Sequence, residues 1–572
     1  MALSKLPVPV SVLTDSYKNG HAFEYPSGKY GTVKKMVAYG EFRGPFNNDE
    51  KDQRIVFYGI RYIIENLVAV KWTMEDVENM ARFLSTHNAG NTPYPFPRDL
   101  FEKFVKENNG YFPVIIESLP EGSVIYPHIP VYQITALEEY AKLVTFLETI
   151  LTMIWYPCTV ATLSRKCKQA IVDKFDEACV PESLRWILAY KLHDFGFRGC
   201  TCVEQSIIGG VAHLLNFKGT DTESAAYYAQ FSLNGGNPVG ESIPATEHSV
   251  MLSFEKKDDI LPNKGHYNEK DAIQKMADEF GNGLFACVMD TYDFHNTIFK
   301  LIPLIKKNGP MVLRPDSGTP KEVVLDAMIA IEVIQSQNEK FYEDASHCTG
   351  ENGTKYLIFN GYSVIQGDGV NLKAVEEVLA YIMNPENRKK RITTLYKGKF
   401  DFEGKRIKYH KGFLIDKKTS VKLLSHTVAY SPFNCTFGMG GGLLQKVNRD
   451  TMRFATKLSY LELEVNGEKV ERNVMKNPKT DAGKKSLPGE LAVKLVNGLP
   501  TVFPKSAVQP EENMLKVVYN GYVKQPIPED TFVELFDTIR ERVETSWKAL
   551  PSVHDAVSNE MKQLQKELGG DE

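Results

Sequence analysis

The sequence predicts an α/β protein: a central (β/α) barrel-like domain plus a mixed α+β domain built from both ends of the chain. Three observations predict it. The middle of the chain repeats one grammar, a short β-rich run, a polar or glycine-rich turn and then an amphipathic helical stretch, which argues for βα units and a parallel sheet or barrel. In each repeat the charged residues fall just after the strand, where the loops of parallel α/β folds converge. The flanks abandon this grammar, and 572 residues suffice for two or more domains with real cores.

Residues 1–160, the first part of the mixed domain, carry the strand-like runs VKKMVAYGEFR, PVIIESLP and SVIYPHIPVYQI among helical segments. The most apolar stretch, VTFLETILTMIWYPCTVATL, is broken by Glu148 and several threonines, so it reads as a buried helix and not as a membrane span. Residues 161–449 hold the repeated units. LFACVM leads through DTYDFHN into TIFKLIPLIK, MVLR through PDSGTP into KEVVLDAMIAIEVIQS, and YSVIQ through GDGV into NLKAVEEVLAYIM. Residues 450–572 add strands and the helical tail TFVELFDTIRERVETSWKAL, completing the mixed domain.

One segment breaks the charge balance. From Arg388 to Lys422 thirteen Lys or Arg stand against three acids, +10 in 35 residues, within an insertion spanning about 385–430. Its patterning in KRIKYHKGFLID and SVKLLSH predicts strands of a small hairpin appendage. A solvated insertion and a flap that attracts polyphosphate ligands are both open readings.

Lys+Arg of 68 against Asp+Glu of 72 gives a formal charge of -4, so no global field draws nucleic acid or anionic membrane, and neither is expected as a partner. Small-molecule chemistry is the default. Eight scattered cysteines include one CxC and no CxxC, which excludes the usual zinc and disulfide spacings and fits free thiols in a reducing compartment. Prolines interrupt MALSKLPVPVSVLTDSYK where a signal peptide needs an unbroken apolar stretch, so a soluble, cytoplasmic protein is expected.

The candidate site collects on the post-strand loops. Asp290 and Asp293, Arg314 and Asp316, and Gly367 and Asp368 follow three successive strands, and three such loops in series point to one place. For any single one of these acids a helix cap or turn is the ordinary alternative. TFGMGGGLLQKVNRD concentrates four glycines in five positions, including Gly440 and Gly441, which lets backbone N–H groups approach an anion. It matches neither the Walker nor the dinucleotide pattern, and Lys446, Arg449 and Lys457 nearby strengthen the phosphate reading. In HDFGFRG a ring, Phe195, precedes Arg198 by three residues, a pair that can stack a heteroaromatic ligand and fix a charged one. Asp221 lies in the turn-rich NFKGTDT, and His248 in PATEHSV is a base, nucleophile, metal ligand or buried hydrogen-bonding side chain. Together these describe a ligand with several phosphates, a divalent metal and an aromatic ring. Magnesium, which prefers carboxylate, phosphate and water oxygens, suits that acid set, whereas His193, His213 and His248 lack metal-ligand spacing.

Ten blocks now carry a resemblance: TDSYKNGH, VFYGIRYI, ETILTMIWYPCTVATLSR, YKLHDFGFRG, AHLLNFKGTDT, IPATEHS, MDTYDFHN, LRPDSGTP, VIQGDGV and FGMGGGLLQKVNRD. In this order, over most of the chain, the sequence resembles the nicotinamide phosphoribosyltransferases, which are type II phosphoribosyltransferases. The resemblance implies that nicotinamide and phosphoribosyl pyrophosphate give nicotinamide mononucleotide and pyrophosphate, coupled to ATP hydrolysis, in NAD biosynthesis. It implies Mg2+, held mainly by substrate phosphates and water, and ATP as co-substrate. It also implies a homodimer with shared active sites, in which Tyr17 and Asp15 of one subunit reach the other and Tyr17 sandwiches the pyridine ring with Phe195.

By the same resemblance Arg198, Asp221, Arg314 and Asp316 surround nicotinamide and ribose, with Asp316 and Asp368 near the ribose hydroxyls. Gly367, Gly440, Gly441 and Arg449 take the 5'-phosphate, and Lys457, Lys476 and Lys484 bind pyrophosphate or ATP phosphates. His248 is the residue phosphorylated by ATP, and Asp293 is expected to orient its imidazole. Met289, in the substrate-contact set, stands where relatives carry a serine. Displacing pyrophosphate from an anomeric carbon asks for positioning, cations and magnesium, and the pyridine nitrogen carries no proton, so no general base is needed. Two other readings stay open: nicotinate phosphoribosyltransferase, which Asp221 disfavours, and a non-catalytic ligand-binding protein on the same fold.

Overall fold

The computed structural model describes residues 6–254, 266–336, 346–395, 401–402, 405–410, 413–416, 428–480 and 484–569, with 401–416 read from the backbone alone. The chain divides into two compact units. One comprises Met1–Thr162, Ser232–Gly236 and Val447–Glu572, the other Leu163–Phe231 and Asn237–Lys446.

The first unit is organised by a six-stranded sheet in the order Glu468–Asn473, Phe454–Val465, Thr32–Phe42, Pro130–Leu137, Ile115–Ser118 and Lys516–Asn520, every neighbouring pair antiparallel. The central Thr32–Phe42 strand is buried along its last seven residues. Burial of both faces explains why that run reads as nearly continuous apolar sequence and not as an alternation. Gly40 is required there, since a Cβ would lie 2.4 Å from the Tyr132 ring crossing from the next strand. In the tail, Phe536, Ile539, Val543 and Trp547 recur at helical spacing and form the buried stripe of the helix Phe536–Ala549. The Arg54 guanidinium lies 4.1 Å from the Trp547 ring centroid. The apolar stretch near residue 150 forms the helices Glu148–Thr152 and Trp155–Glu177. Among the described residues no helix is long and apolar enough to cross a membrane.

The second unit has the α/β architecture that the repeated grammar predicts. Five parallel strands lie in the order Leu192–Asp194, Cys435–Met439, Tyr362–Gln366, Met311–Arg314 and Phe285–Val288. Two further segments link the edges through single parallel bridges, Asp194 to Thr220, Gly219 to Glu241, and Ala245 to Ala286. Backbone bonds mark these joints: Asp221 N–H to Asp194 O (2.9 Å), Thr220 N–H to Glu241 O (2.9 Å) and Ala286 N–H to Pro244 O (2.9 Å). Seven segments thereby close into a ring that follows chain order, a barrel of βα units. Ala286, Val312 and Ile365 form a buried apolar cluster, against which Phe195 and Ile243 pack. The helices Val203–Leu214, Pro320–Gln335 and Leu372–Ile382 are among those between segments. After the Phe285 strand the expected regular helix is instead a run of short, irregular turns from Phe294 to Leu304, broken at Pro303.

The backbone of the basic insertion forms the antiparallel strands Asp401–Phe402, Lys405–His410 and Phe413–Asp416, and residues 417–427 lie outside the described residues. Its first arginines are neither solvated nor free for polyphosphate, as both open readings of the segment had them. Arg388, 1% exposed, donates to both oxygens of the fully buried Glu332 (2.5 and 3.1 Å), and the Tyr430 hydroxyl donates to the same carboxylate (2.5 Å). Arg391 grips the buried Asp326 with two bonds, 2.6 and 2.7 Å. Both anchor the helix Pro385–Leu395 to Pro320–Gln335, which is why these two cations carry structure.

Candidate active site

The carboxyl ends of the barrel segments bring the predicted residues of this unit onto one rim. Asp194 ends the first strand and Phe195 follows it, Asp221 follows the second segment and His248 the third. Then come Asp290, Arg314, Gly367 and Gly440 at the ends of the next four. Parallel strands project their C-terminal loops to the same side, which is the reason residues so distant in sequence meet.

Phe195 is the floor of the arrangement. The Arg314 guanidinium lies 5.3 Å from its ring centroid, and Gly438 makes room for the ring, since a Cβ there would be 2.0 Å from Phe195 Cε2. Arg314 Nη2 donates to Asp316 Oδ1 at 3.0 Å, while Arg314 Nε is buried without a partner. Gly367 stands beside it, where a Cβ would come 3.2 Å from that Nε. The Asp316 N–H donates to Asp290 Oδ2 at 3.1 Å, leaving Asp290 Oδ1 buried and unpartnered. Unsatisfied polar atoms at the mouth of a barrel are costly in a closed interior and are where a polar ligand is expected to bond.

His248 begins the short helix His248–Leu252 and is half-exposed. Its Nε2 lies 3.5 Å from Asp316 Oδ2 and its Nδ1 3.5 Å from Thr291 Oγ1. Among the described contacts none joins Asp293, expected to orient this imidazole, to the ring. Its carboxylate accepts the Asn296 N–H at 3.0 Å and caps the turn Phe294–Asn296, so the ordinary role of a post-strand aspartate wins at that position. Thr291 and Asp316 flank the imidazole. Met289, expected in the substrate-contact set, is turned inward. Its side chain is fully buried and its N–H bonds the Arg314 carbonyl at 3.0 Å, so it ties two strands together and offers no surface to a ligand.

Asp221 is exposed, with Oδ1 accepting from the Ser242 hydroxyl at 2.5 Å. Beneath it Asp194 is buried, and burial pushes its carboxyl up to about 6 even though Oδ1 accepts the Gly196 N–H at 2.7 Å. Arg198 projects into solvent, 3.7 Å from Glu247, a pair too exposed to hold it firmly. Asp368 is exposed on its turn, its carbonyl accepting from Gln366 at 2.9 Å. Gly440 and Gly441 open the turn before Leu444, and the Gln445 amide donates from there to the Gly196 carbonyl at 2.9 Å. His193 and His213 are buried, and the His213 ring bonds Ser164 Oγ (2.9 Å) and the Gly219 carbonyl (3.1 Å).

The remaining candidates belong to the first unit. Asp15 and Tyr17 lie at the turn Ser16–Asn19, where Thr149 donates to the Asp15 carboxylate at 3.0 Å and Tyr17 stays 53% exposed. Lys457 is half-buried on the Phe454–Val465 strand, and burial together with Arg43 and Lys476 lowers its pKa, a repulsion that a bound anion would relieve. Arg449 is exposed in a turn capped by Asn448, and Lys476 and Lys484 are exposed. Sequence reasoning missed Thr291, Ser242 and the buried Glu269, whose carboxylate accepts the Thr291 N–H at 2.9 Å. A glutamate inside NEKDAIQKM reads as a solvated helix face, and only the fold reveals it as buried.

Residues 190–392 and 384–507 match the nicotinate phosphoribosyltransferase (NAPRTase) family, and residues 9–116 match the nicotinamide phosphoribosyltransferase N-terminal domain. A nicotinamide phosphoribosyltransferase of Xanthomonas campestris pv. campestris is 32% identical over 84% of this chain and 86% of that protein. The nicotinamide phosphoribosyltransferase of Acinetobacter baylyi is 25% identical over 87% of this chain and 90% of its own length. Among solved structures, human nicotinic acid phosphoribosyltransferase has a similar fold, with a TM-score of 0.55 at 16% identity, covering 97% of this chain and all of that one.

Proposed function

Because the chain belongs to the nicotinate and nicotinamide phosphoribosyltransferase family, and is therefore a pentosyltransferase, we propose that its substrates are nicotinamide and phosphoribosyl pyrophosphate and its products nicotinamide mononucleotide and pyrophosphate, a step of NAD biosynthesis. The observation that carries this reading is the assembled rim of Phe195, Arg314, Asp316 and Asp290 at the carboxyl ends of the barrel segments. A flat ring gives a stacking face for the pyridine, and the orphaned Arg314 Nε and Asp290 Oδ1 offer a donor and an acceptor beside it. The neutral pyridine nitrogen attacks the anomeric carbon, so the side chains position and neutralise and do not abstract a proton.

Asp221 favours the amide over the acid. One of its oxygens is engaged by Ser242 and the other is open to a carboxamide N–H, whereas nicotinate would bring a like charge. Among the described residues no three His, Cys, Asp or Glu side chains gather as a metal cage. Asp290 and Asp316 fit a magnesium ion that keeps most of its bonds with phosphate and water, which is its habit. Bound that way, the ion would neutralise charge on the leaving pyrophosphate.

ATP enters through His248. An imidazole nitrogen attacks the γ-phosphorus, the bond to the bridging oxygen breaks, and ADP leaves with that oxygen's charge. The half-exposed ring beside Asp316 supports this role, since it is reachable and shares a neighbour with the ribose face. The reading includes a homodimer in which Tyr17 and Asp15 complete the partner's site, and the exposed Tyr17 ring is consistent with it. The test is direct. Phosphoribosyl pyrophosphate and magnesium are supplied with nicotinamide or with nicotinate, each with and without ATP, and the mononucleotide is quantified. Nicotinamide mononucleotide formed faster with ATP is expected, and product from nicotinate alone would overturn the substrate assignment.

A further inference from the structure

Glu269 lies on the helix His266–Phe280 and is fully buried. A buried carboxylate is retained only where its oxygens are bonded. Oε1 accepts the Thr291 backbone N–H at 2.9 Å, and Oε2 accepts the Thr297 hydroxyl at 2.6 Å. The Thr297 N–H donates to the Asp293 carbonyl at 3.0 Å, and the Glu269 side chain thus clamps both ends of the turn that runs from Thr291 to Thr297. The first residue of that turn puts its hydroxyl 3.5 Å from His248 Nδ1, while Asp316 stands 3.5 Å from Nε2 on the other side of the ring. Of the two flanking groups, Asp316 belongs to the ribose face. Besides the contact to His248, Thr291 is held through its backbone N–H by Glu269.

We infer that Glu269 is a positioning residue for the ATP-dependent half of the reaction, fixing Thr291 so that its hydroxyl sets the rotation of the His248 imidazole toward the nucleotide. The inference rests on His248 being the phosphorylated residue. A half-exposed imidazole with two neighbours at 3.5 Å among the described contacts is loosely held, and phosphoryl transfer demands that one nitrogen be in line with the γ-phosphorus. A hydroxyl on a backbone locked by a charged acceptor removes that freedom more firmly than a solvent contact would.

The test uses the full-length protein with ATP, phosphoribosyl pyrophosphate and magnesium, reading ATP turnover and the acid-labile phosphate trapped on the protein. Thr291→Val keeps the shape and the N–H but removes the hydroxyl, and kcat for ATP hydrolysis and the trapped phosphate should fall about tenfold with KM for ATP within about twofold. Thr291→Ser should restore both. Glu269→Gln should fall severalfold, and the double variant Glu269→Gln/Thr291→Val should be no worse than Thr291→Val alone, because the two act through one path. Thermal unfolding of each variant confirms that it is folded. ATP turnover in Thr291→Val within twofold of the parent, failure of serine to rescue, or additive losses in the double variant would each overturn the inference. His248→Ala is the control for the reading beneath it: if ATP still phosphorylates that variant, the phosphohistidine assignment itself fails and Glu269 loses its role with it.

Discussion

The Arg314 guanidinium lies over the Phe195 ring, 5.3 Å from its centroid, while donating to Asp316 at 3.0 Å. One planar group therefore joins a stacking surface to a carboxylate before any ligand arrives. Such an assembly is already organised, so binding need not supply the ordering of these side chains.

The first prediction concerns the space that permits this stack. Gly438→Ala would put a methyl 2.0 Å from Phe195 Cε2 and must push the ring aside. KM for nicotinamide should rise at least roughly tenfold, as in Phe195→Ala, the loss expected when a base loses an aromatic face. Steady-state kinetics at saturating phosphoribosyl pyrophosphate checks this, and an unchanged KM would mean that the ring does not hold the base.

The proposed role of Asp221 in choosing amide over acid gives the second prediction. Two carboxylates about 4 Å apart at an effective dielectric near 20 repel by on the order of 4 kcal/mol, roughly a thousandfold in relative use. Asp221→Ser should shift the ratio of kcat/KM for nicotinate over nicotinamide upward by a large part of that factor. A ratio that does not move removes Asp221 from substrate selection.

The proposed homodimer with shared sites predicts complementation. Tyr17→Ala and Phe195→Ala should each be impaired as homodimers, yet co-expression should yield heterodimers with one intact site and recover up to about half the parent activity per heterodimer. Recovery is measured after separating the species by orthogonal tags. No recovery would place both residues in sites confined to one chain.

Asp194 gives a pH dependence with a definite sign. Its folded carboxyl sits near 6, above the ordinary 3.8, because it is buried. The folded state therefore holds the proton more tightly, and the stability this gives is present below about 3.8 and is lost as pH rises through about 6. Asp194→Asn keeps the acceptor for the Gly196 N–H without the charge. Its stability relative to the parent should improve between pH 4.5 and 7 by up to on the order of 3 kcal/mol. Denaturant titrations across that range measure it, and a difference independent of pH would show that Asp194 titrates at its ordinary value.

Much of this was legible in the sequence for a physical reason. Strands that are buried on both faces and end in chemistry, such as MVLR before Pro315 and Asp316, announce themselves by apolar runs followed by polar turns. The paired edges of the ring near Gly219 and Ala245 did not, because a joint made by one bridged residue leaves no run to read. Asp293 and Asp316 look alike on paper, and only the backbone geometry decides that one caps a turn while the other flanks His248. Arg388 and Arg391 are lost in a basic tract until Glu332 and Asp326, some 60 residues earlier, are seen to take their charge.

The ring of parallel segments is laced unevenly. From Leu192 through Cys435, Tyr362 and Met311 to Phe285, the joints run over three or four paired residues each, whereas the arc through Gly219 and Ala245 is stitched by single bridges. Local opening takes the path with the fewest bonds to break, so amide exchange should concentrate on that arc. The arc bears Asp221 and His248, and the tightly laced side bears Arg314 and Gly367. The residues proposed to choose the base and to couple to ATP thus lie on the loosely laced side of the barrel, and those proposed to grip the sugar lie on the tightly laced side.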